Sequence, residues 1–175
     1  MFDGLKIFTS YSKLREYKEL GEIKLKSQIE NSLSDVMKTF YDIIRQKYNY
    51  KVAKESVGIS EERVKLAEEK LSVGSASQLD VLRAKVDLNA DKSNLLSQEV
   101  TLSSLKVTLN SLLARTVSLD FDVEDEIDLK SGMSFDQLKE EALKNNTDLH
   151  QAEKSKSISS YDVSLTRADY FPKIT

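Results

Sequence analysis

The sequence predicts an all-α fold: a long antiparallel coiled-coil hairpin, then a small region with one short strand and two helices. Three observations carry this. Residues 5–71 contain no proline, and their apolar residues recur at steps of three and four. A second stretch, 81–112, repeats apolar residues at strict sevens. Only a few small residues separate the two, so the helices must run antiparallel.

The first helix is expected from about Leu5 to Leu71. One apolar stripe runs through Ile29, Leu33, Val36, Phe40 and Ile43, and a second through Met37, Tyr41, Ile44, Tyr48 and Val52. A single stripe makes an ordinary amphipathic helix, whereas two adjacent stripes predict contacts on two flanks. Roughly 65 helical residues would span about 100 Å at 1.5 Å each. Gly58, in "SVGISEERV", is the expected weak point of this helix.

The tip is expected at about 72–79, within "KLSVGSASQLDVLRA". Gly74 suits the left-handed residue that ends a helix. Ser77 is placed to cap the next helix, with Asp80 completing a capping-box-like S-x-x-D and facing the positive helix end. The second helix then carries the seam Val81, Leu88, Leu95, Leu102 and Leu109, joined by Leu105 and Leu112. Small residues surround it (Ala84, Ala90, Ser93, Ser97, Ser103, Ser104, Ser111), so neighbours can approach on more than one side.

Three regions follow: the hairpin over 1–115, an acidic connector over 116–133, and two helices over 134–175. "TVSLDFDVEDEIDL" alternates as a short strand would and then becomes densely acidic. Ser134 and Gln137 form a capping box opening a helix to about Lys144. Asn146 or Thr147 caps a last helix running to Tyr170, which Pro172 stops.

Composition and motifs exclude most chemistry. With 26 basic and 29 acidic residues the net charge is −3, which gives no reason to expect a nucleic-acid partner. Without cysteine there is no disulfide framework from which to read a redox compartment. Met1 leads straight into "FDGLKIF", without a signal peptide's charged, apolar and cleavage regions, and no apolar run reaches membrane-spanning length. The expectation is a cytosolic protein or a piece of something larger. The acidic run Asp120, Asp122, Glu124, Asp125, Glu126 and Asp128 fails as a calcium loop: Asp125 replaces the required glycine and Ser131 the terminal glutamate. It reads as a solvated connector. His150, the one histidine, reads as a helix-surface residue and leaves no His pair. There is no phosphate- or dinucleotide-binding glycine motif. No enzyme activity, metal or cofactor is expected.

The segment "RVKLAEEKLSVGSASQLDVLRAKVDLNADKSNLLSQEVTLSSLKVTLNSLLA" resembles the repeat of TolC-like outer-membrane efflux proteins: a long helix, a valine-glycine turn, "LDVL.A", then a leucine-spaced helix ending in a small residue. "FDGLKIF" is similar to that family's passage from an outer-membrane strand into a periplasmic helix. "LKEEALKNNTDLHQAEKSKSISSYDVSLTRADYFPKI" is similar to the segment opening its next repeat. The resemblance covers almost the whole chain. It implies an α-barrel segment with an equatorial-type region, the periplasmic part of one repeat without its membrane strands.

The parent implied is a trimeric duct in the periplasm and outer membrane, exporting drugs, metals or proteins. It would be joined by a periplasmic adaptor (membrane fusion) protein to an inner-membrane pump. Gly74, Ser75 and Ala76 would leave a shallow docking groove for an adaptor hairpin, with Val73 and Leu79 as apolar contacts. Asp80 matches an aspartate that ties neighbouring coils together in the closed state of some members, with partners in a second repeat. Ser75 stands where relatives often carry a larger apolar residue. Two other readings stay open: a free-standing coiled-coil scaffold, and the adaptor's own hairpin, which normally interrupts strand-rich domains that have no counterpart here. The scaffold needs one apolar seam per helix, whereas the duct needs two packing flanks.

Overall fold

A computed structural model of the protein describes residues 6–124, 132 and 134–170. It is all-helical: α1 spans Lys6–Ser72, α2 Gln78–Leu112, α3 Phe135–Asn145 and α4 Thr147–Ala168. α1 passes unbroken through Gly21 and Gly58, although an interior glycine costs roughly 0.5–1 kcal/mol. Packing along α1 offsets that cost. Two compact units form, and α1 contributes its residues up to Leu33 to one and those from Ser34 onward to the other.

In the hairpin unit, α1 and α2 pack together as antiparallel neighbours. The register is read from cross-links: Glu68 to Lys85 at 2.7 Å, Glu61 to Lys92 at 2.9 Å, and Gln46 Nε2 to the Gln98 carbonyl at 3.0 Å. The α1 seam is Thr39, Ile43, Gln46, Tyr50, Ala53, Val57, Ser60, Val64, Ala67 and Leu71, at alternating steps of four and three. All are buried or half-buried, and Ile43 is sealed completely together with its neighbour Ile44. Each such aliphatic side chain contributes roughly 1.5–3 kcal/mol on burial.

The other unit pairs the first part of α1 with α4, and its seam is chemically different. On α1 it runs Lys6, Thr9, Lys13, Glu16, Leu20, Ile23 and Ser27. On α4 it runs Thr147, Gln151, Lys154, Ile158, Tyr161, Leu165 and Ala168. Ion pairs join the two lines: Lys6 to Asp169, Lys13 to Asp162, and Lys154 to both Glu16 and Glu19, at 3.1 and 2.5 Å. Thr147 donates to Glu30 at 3.2 Å.

The helix ends follow local chemistry. Ser134 and Gln137 form the reciprocal capping box of α3, and the Asn146 side chain caps α4 through the Leu149 N–H at 2.8 Å. α4 gives way to a turn at Asp169 and Tyr170, and Pro172 lies outside the described residues. His150 closes the α3–α4 junction: its Nε2 meets the Lys144 carbonyl at 2.9 Å and its Nδ1 meets Glu153 at 3.3 Å. Both contacts favour the charged ring, the carbonyl more, so its pKa lies above the ordinary value.

The short strand expected after Arg115 is not there; no strand occurs among the described residues. Over 116–124 the alternation is real, yet a strand needs a neighbouring backbone to complete its ladder. Here the backbone acceptors go elsewhere: Val117 and Leu119 to Asn110, and Val123 to Lys47. Asp120 and Asp122 bond Lys106 and Lys47 at 2.7 and 2.8 Å, and these lysines hold both carboxyls below their usual range. The acidic residues Asp125, Glu126 and Asp128 lie outside the described residues.

The hairpin tip and the exposed seams

Backbone and side-chain hydrogen bonds together build the tip. α1 ends in a paired closure: Ser75 N–H donates to the Lys70 carbonyl at 2.8 Å and Gly74 N–H to the Leu71 carbonyl at 3.0 Å. That closure requires a left-handed residue, and Gly74 supplies it at φ +75°. A Cβ there would meet nothing within 4 Å, so only backbone strain opposes a side chain. Ser75 Oγ also donates to the Lys70 carbonyl, at 3.1 Å. α2 then opens on a reciprocal box, in which Asp80 N–H donates to Ser77 Oγ at 3.3 Å and Ser77 N–H to Asp80 Oδ2 at 2.9 Å. The Ser77 hydroxyl donates to the same carboxylate oxygen at 2.7 Å. The Ser77 N–H, then its hydroxyl, hold the Asp80 carboxyl below its ordinary pKa. Asp80 is thus engaged within its own turn.

Around this frame the tip is open. Val73 is 76% exposed and Leu79 54%, with Gly74 and Ser75 exposed and Ala76 half-covered between them. A shallow depression beside them is lined by Leu66, Ala67, Lys70, Ser75, Ala76 and Asp80, together with Arg63. The surface offers apolar contact flanked by the cations Lys70 and Arg63.

Of the expected seam residues, Val81 and Leu109 are buried and Leu88, Leu95, Leu102 and Leu105 half-buried. Leu112 is 42% exposed, because α2 ends there and Ala114, at φ +53°, redirects the chain. Sequence reasoning named the apolar alternate rungs Leu105 and Leu112, and Ala84 beside the seam, but missed the polar ones: Asp91 and Gln98 stand three residues after Leu88 and Leu95, and they too face α1. Asp91 accepts from the buried Ser60 hydroxyl, and the Gln98 side chain accepts from Gln46 Nε2 at 2.8 Å. The signal was the spacing: a heptad leucine implies a partner rung three residues on, whatever its polarity.

Both helices carry a further apolar line away from the shared seam. On α1, Val52, Ile59 and Leu66 recur at sevens, Val73 continues the line just past the helix end, and all four remain exposed. On α2, the exposed residues Leu79, Leu82, Val86, Leu96, Val100 and Val107 keep a three-four rhythm completed by Asn89, Ser93 and Ser103. Among the described residues no group of three His, Cys, Asp or Glu could hold a metal ion, and no helix is long and apolar enough to cross a membrane.

The chain matches no family model, no curated protein and no solved structure.

Proposed function

We propose that this chain is a wall segment of an outer-membrane efflux or secretion duct. It would work by side-by-side assembly in a periplasmic α-barrel and by docking its tip onto a periplasmic adaptor coupled to an inner-membrane pump. The observation that carries the reading is the second exposed seam on each hairpin helix. A free two-helix coiled coil is satisfied by one seam per helix, and its outer faces are expected to be polar. Here Val52, Ile59 and Leu66 on α1, and Leu82, Val86, Leu96 and Val100 on α2, keep coiled-coil spacing where no helix of the hairpin covers them. A helix in a barrel wall has neighbours on two sides and needs two seams. The TolC-like pattern around Gly74 agrees with this, and so does a tip whose small residues leave room for an incoming hairpin.

The mechanism requires no chemistry from the wall. Packed helices exclude cargo from the surrounding compartment, and opening amounts to rearranging coiled coils at the tip. Asp80 would serve first as a capping carboxylate there, with Val73 and Leu79 giving apolar contact to the adaptor.

Gly74→Glu tests the docking half, measured as binding of a matched adaptor hairpin. Gly74→Ala is the control, since it carries the same backbone strain without the carboxylate. Binding should fall at least tenfold for glutamate and little for alanine. Equal binding by wild type and Gly74→Glu would remove the tip from the mechanism. Ile59→Asp with Leu66→Asp tests the wall half: self-association by light scattering should fall while helicity persists.

A further inference from the structure

The stretch following α2 is held against the hairpin as a bound peptide would be. Asn110, fully buried, donates its Nδ2 to the carbonyls of Val117 and Leu119 at 3.3 and 2.8 Å. One turn back along α2, Lys106 Nζ meets Asp120 at 2.7 Å and lies 5.7 Å from the centre of the Phe121 ring. From the other helix, Lys47 Nζ takes Asp122 Oδ1 and the Val123 carbonyl, both at 2.8 Å. The two lysine side chains are only 21% and 23% exposed, Phe121 and Val123 are half-buried, and the aspartates reach outward. The Val117 and Leu119 carbonyls go to an amide and that of Val123 to an ammonium, Phe121 and Val123 turn inward while Val117 and Leu119 stay exposed, and carboxylates meet cations from both helices. The groove therefore suits a short segment in which aspartates alternate with Phe121 and Val123.

The tether of this occupant is strained. Arg115 N–H closes on the Asn110 carbonyl at 2.8 Å and Ala114 N–H on that of Ser111 at 3.1 Å, the closure seen at Gly74. Here, however, the left-handed residue is alanine, at φ +53°, where its Cβ crowds the backbone. Extending α2 through Ala114 would relieve that strain but would withdraw the segment from its own groove. The one occupant whose fit is already displayed is the same segment on another molecule. Short strained hinges favour such exchange, and reciprocal exchange is a low-cost route to dimers.

We propose that residues 117–123 exchange between two copies of this chain, each copy's segment filling the other's Lys47–Lys106–Asn110 groove. No residue of the tip takes part, so the inference stands apart from the duct reading.

Two full-length variants test it: Lys47→Glu with Lys106→Glu, and Asp120→Lys with Asp122→Lys. Alone, each sets like charges against like, in its own groove and in that of an identical copy. Mixed, the acidic segment of the first meets the lysine groove of the second, and the converse pair forms as well. Native mass spectrometry at low salt should show a mixed dimer at least tenfold above the self-dimer of either variant, disappearing at high salt. A mixture showing only the sum of the two separate variants overturns the proposal. If either variant loses its helical signal, wild type and Ala114→Gly decide. Glycine removes the hinge strain, so the dimer fraction of the concentrated protein should fall several-fold, and equal fractions overturn the exchange.

Discussion

The two units solve the same problem, holding an antiparallel neighbour against α1, with different chemistry. From Ser34 onward α1 offers Ile43, Ile44, Ala53, Val57 and Val64, sealed from water against α2 or beside that seam. Before Leu33 the equivalent line offers Lys6, Lys13 and Glu16, with Leu20 as its one buried aliphatic. The partner lines match: Val81 and Leu109 in one unit, Lys154 and Gln151 around Ile158 in the other. Apolar burial is not screened by salt and depends little on pH, whereas partly exposed ion pairs contribute little individually and are screened. Equal helical regularity thus conceals two different sensitivities.

The largest effect should come from breaking the apolar side. Ile43→Ala leaves a cavity in a fully sealed position, and such truncations cost about 2–5 kcal/mol. Hydrogen exchange should show accelerated amides in α2 and the second part of α1, with α4 much less affected. Uniform acceleration through α4 would mean that the two seams do not differ in this way.

A pH and salt series should separate the units next. The Lys154 ammonium holds the Glu19 carboxyl below its ordinary pKa, so its stabilisation is complete above the ordinary carboxylate value and is lost as pH falls through the depressed one. Asp162 raises Lys13, and Glu19 with Glu16 raises Lys154; that stabilisation is complete below the ordinary lysine value of 10.5 and is lost as pH rises through the raised ones. Amide protection in α4 should therefore decline at both extremes and with added salt. Lys154→Met should flatten the acid arm, and an unchanged profile would deny the pairs their role.

The two helix ends make a smaller test with opposite signs. Gly74 and Ala114 occupy the same position in the same closure, but only one is glycine. Gly74→Ala should destabilise by about 1 kcal/mol, and Ala114→Gly should stabilise by about as much, read from denaturant midpoints. Effects of the same sign would refute the strain assigned to Ala114. The smallest effect belongs to His150, whose raised pKa stabilises fully below 6.5 and less as pH climbs through the raised value. His150→Ala should abolish that slope at the α3–α4 junction by hydrogen exchange, leaving α2 untouched.

The sequence by itself determined whatever depends on residues within one or two helical turns. Gly74, the Ser77–Asp80 box, the Ser134–Gln137 box and the leucine heptad are each legible because donor and acceptor, or one rung and the next, lie three to seven residues apart. The exposed apolar residues of the tip were legible in the same way, as side chains beside a short reversal. Only the tertiary structure decided which of α1's stripes would be buried. Ile43 and Ile44, drawn from two predicted stripes, are sealed, while Met37, Tyr41 and Val52 stay exposed. It also decided that Gln46 would meet Gln98 and Ser60 Asp91, and that 117–123 would answer to Lys47, Lys106 and Asn110 instead of forming a strand. Most of those partners stand tens of residues apart. Even for nearby Asn110, the choice depended on the groove that α1 and α2 complete together.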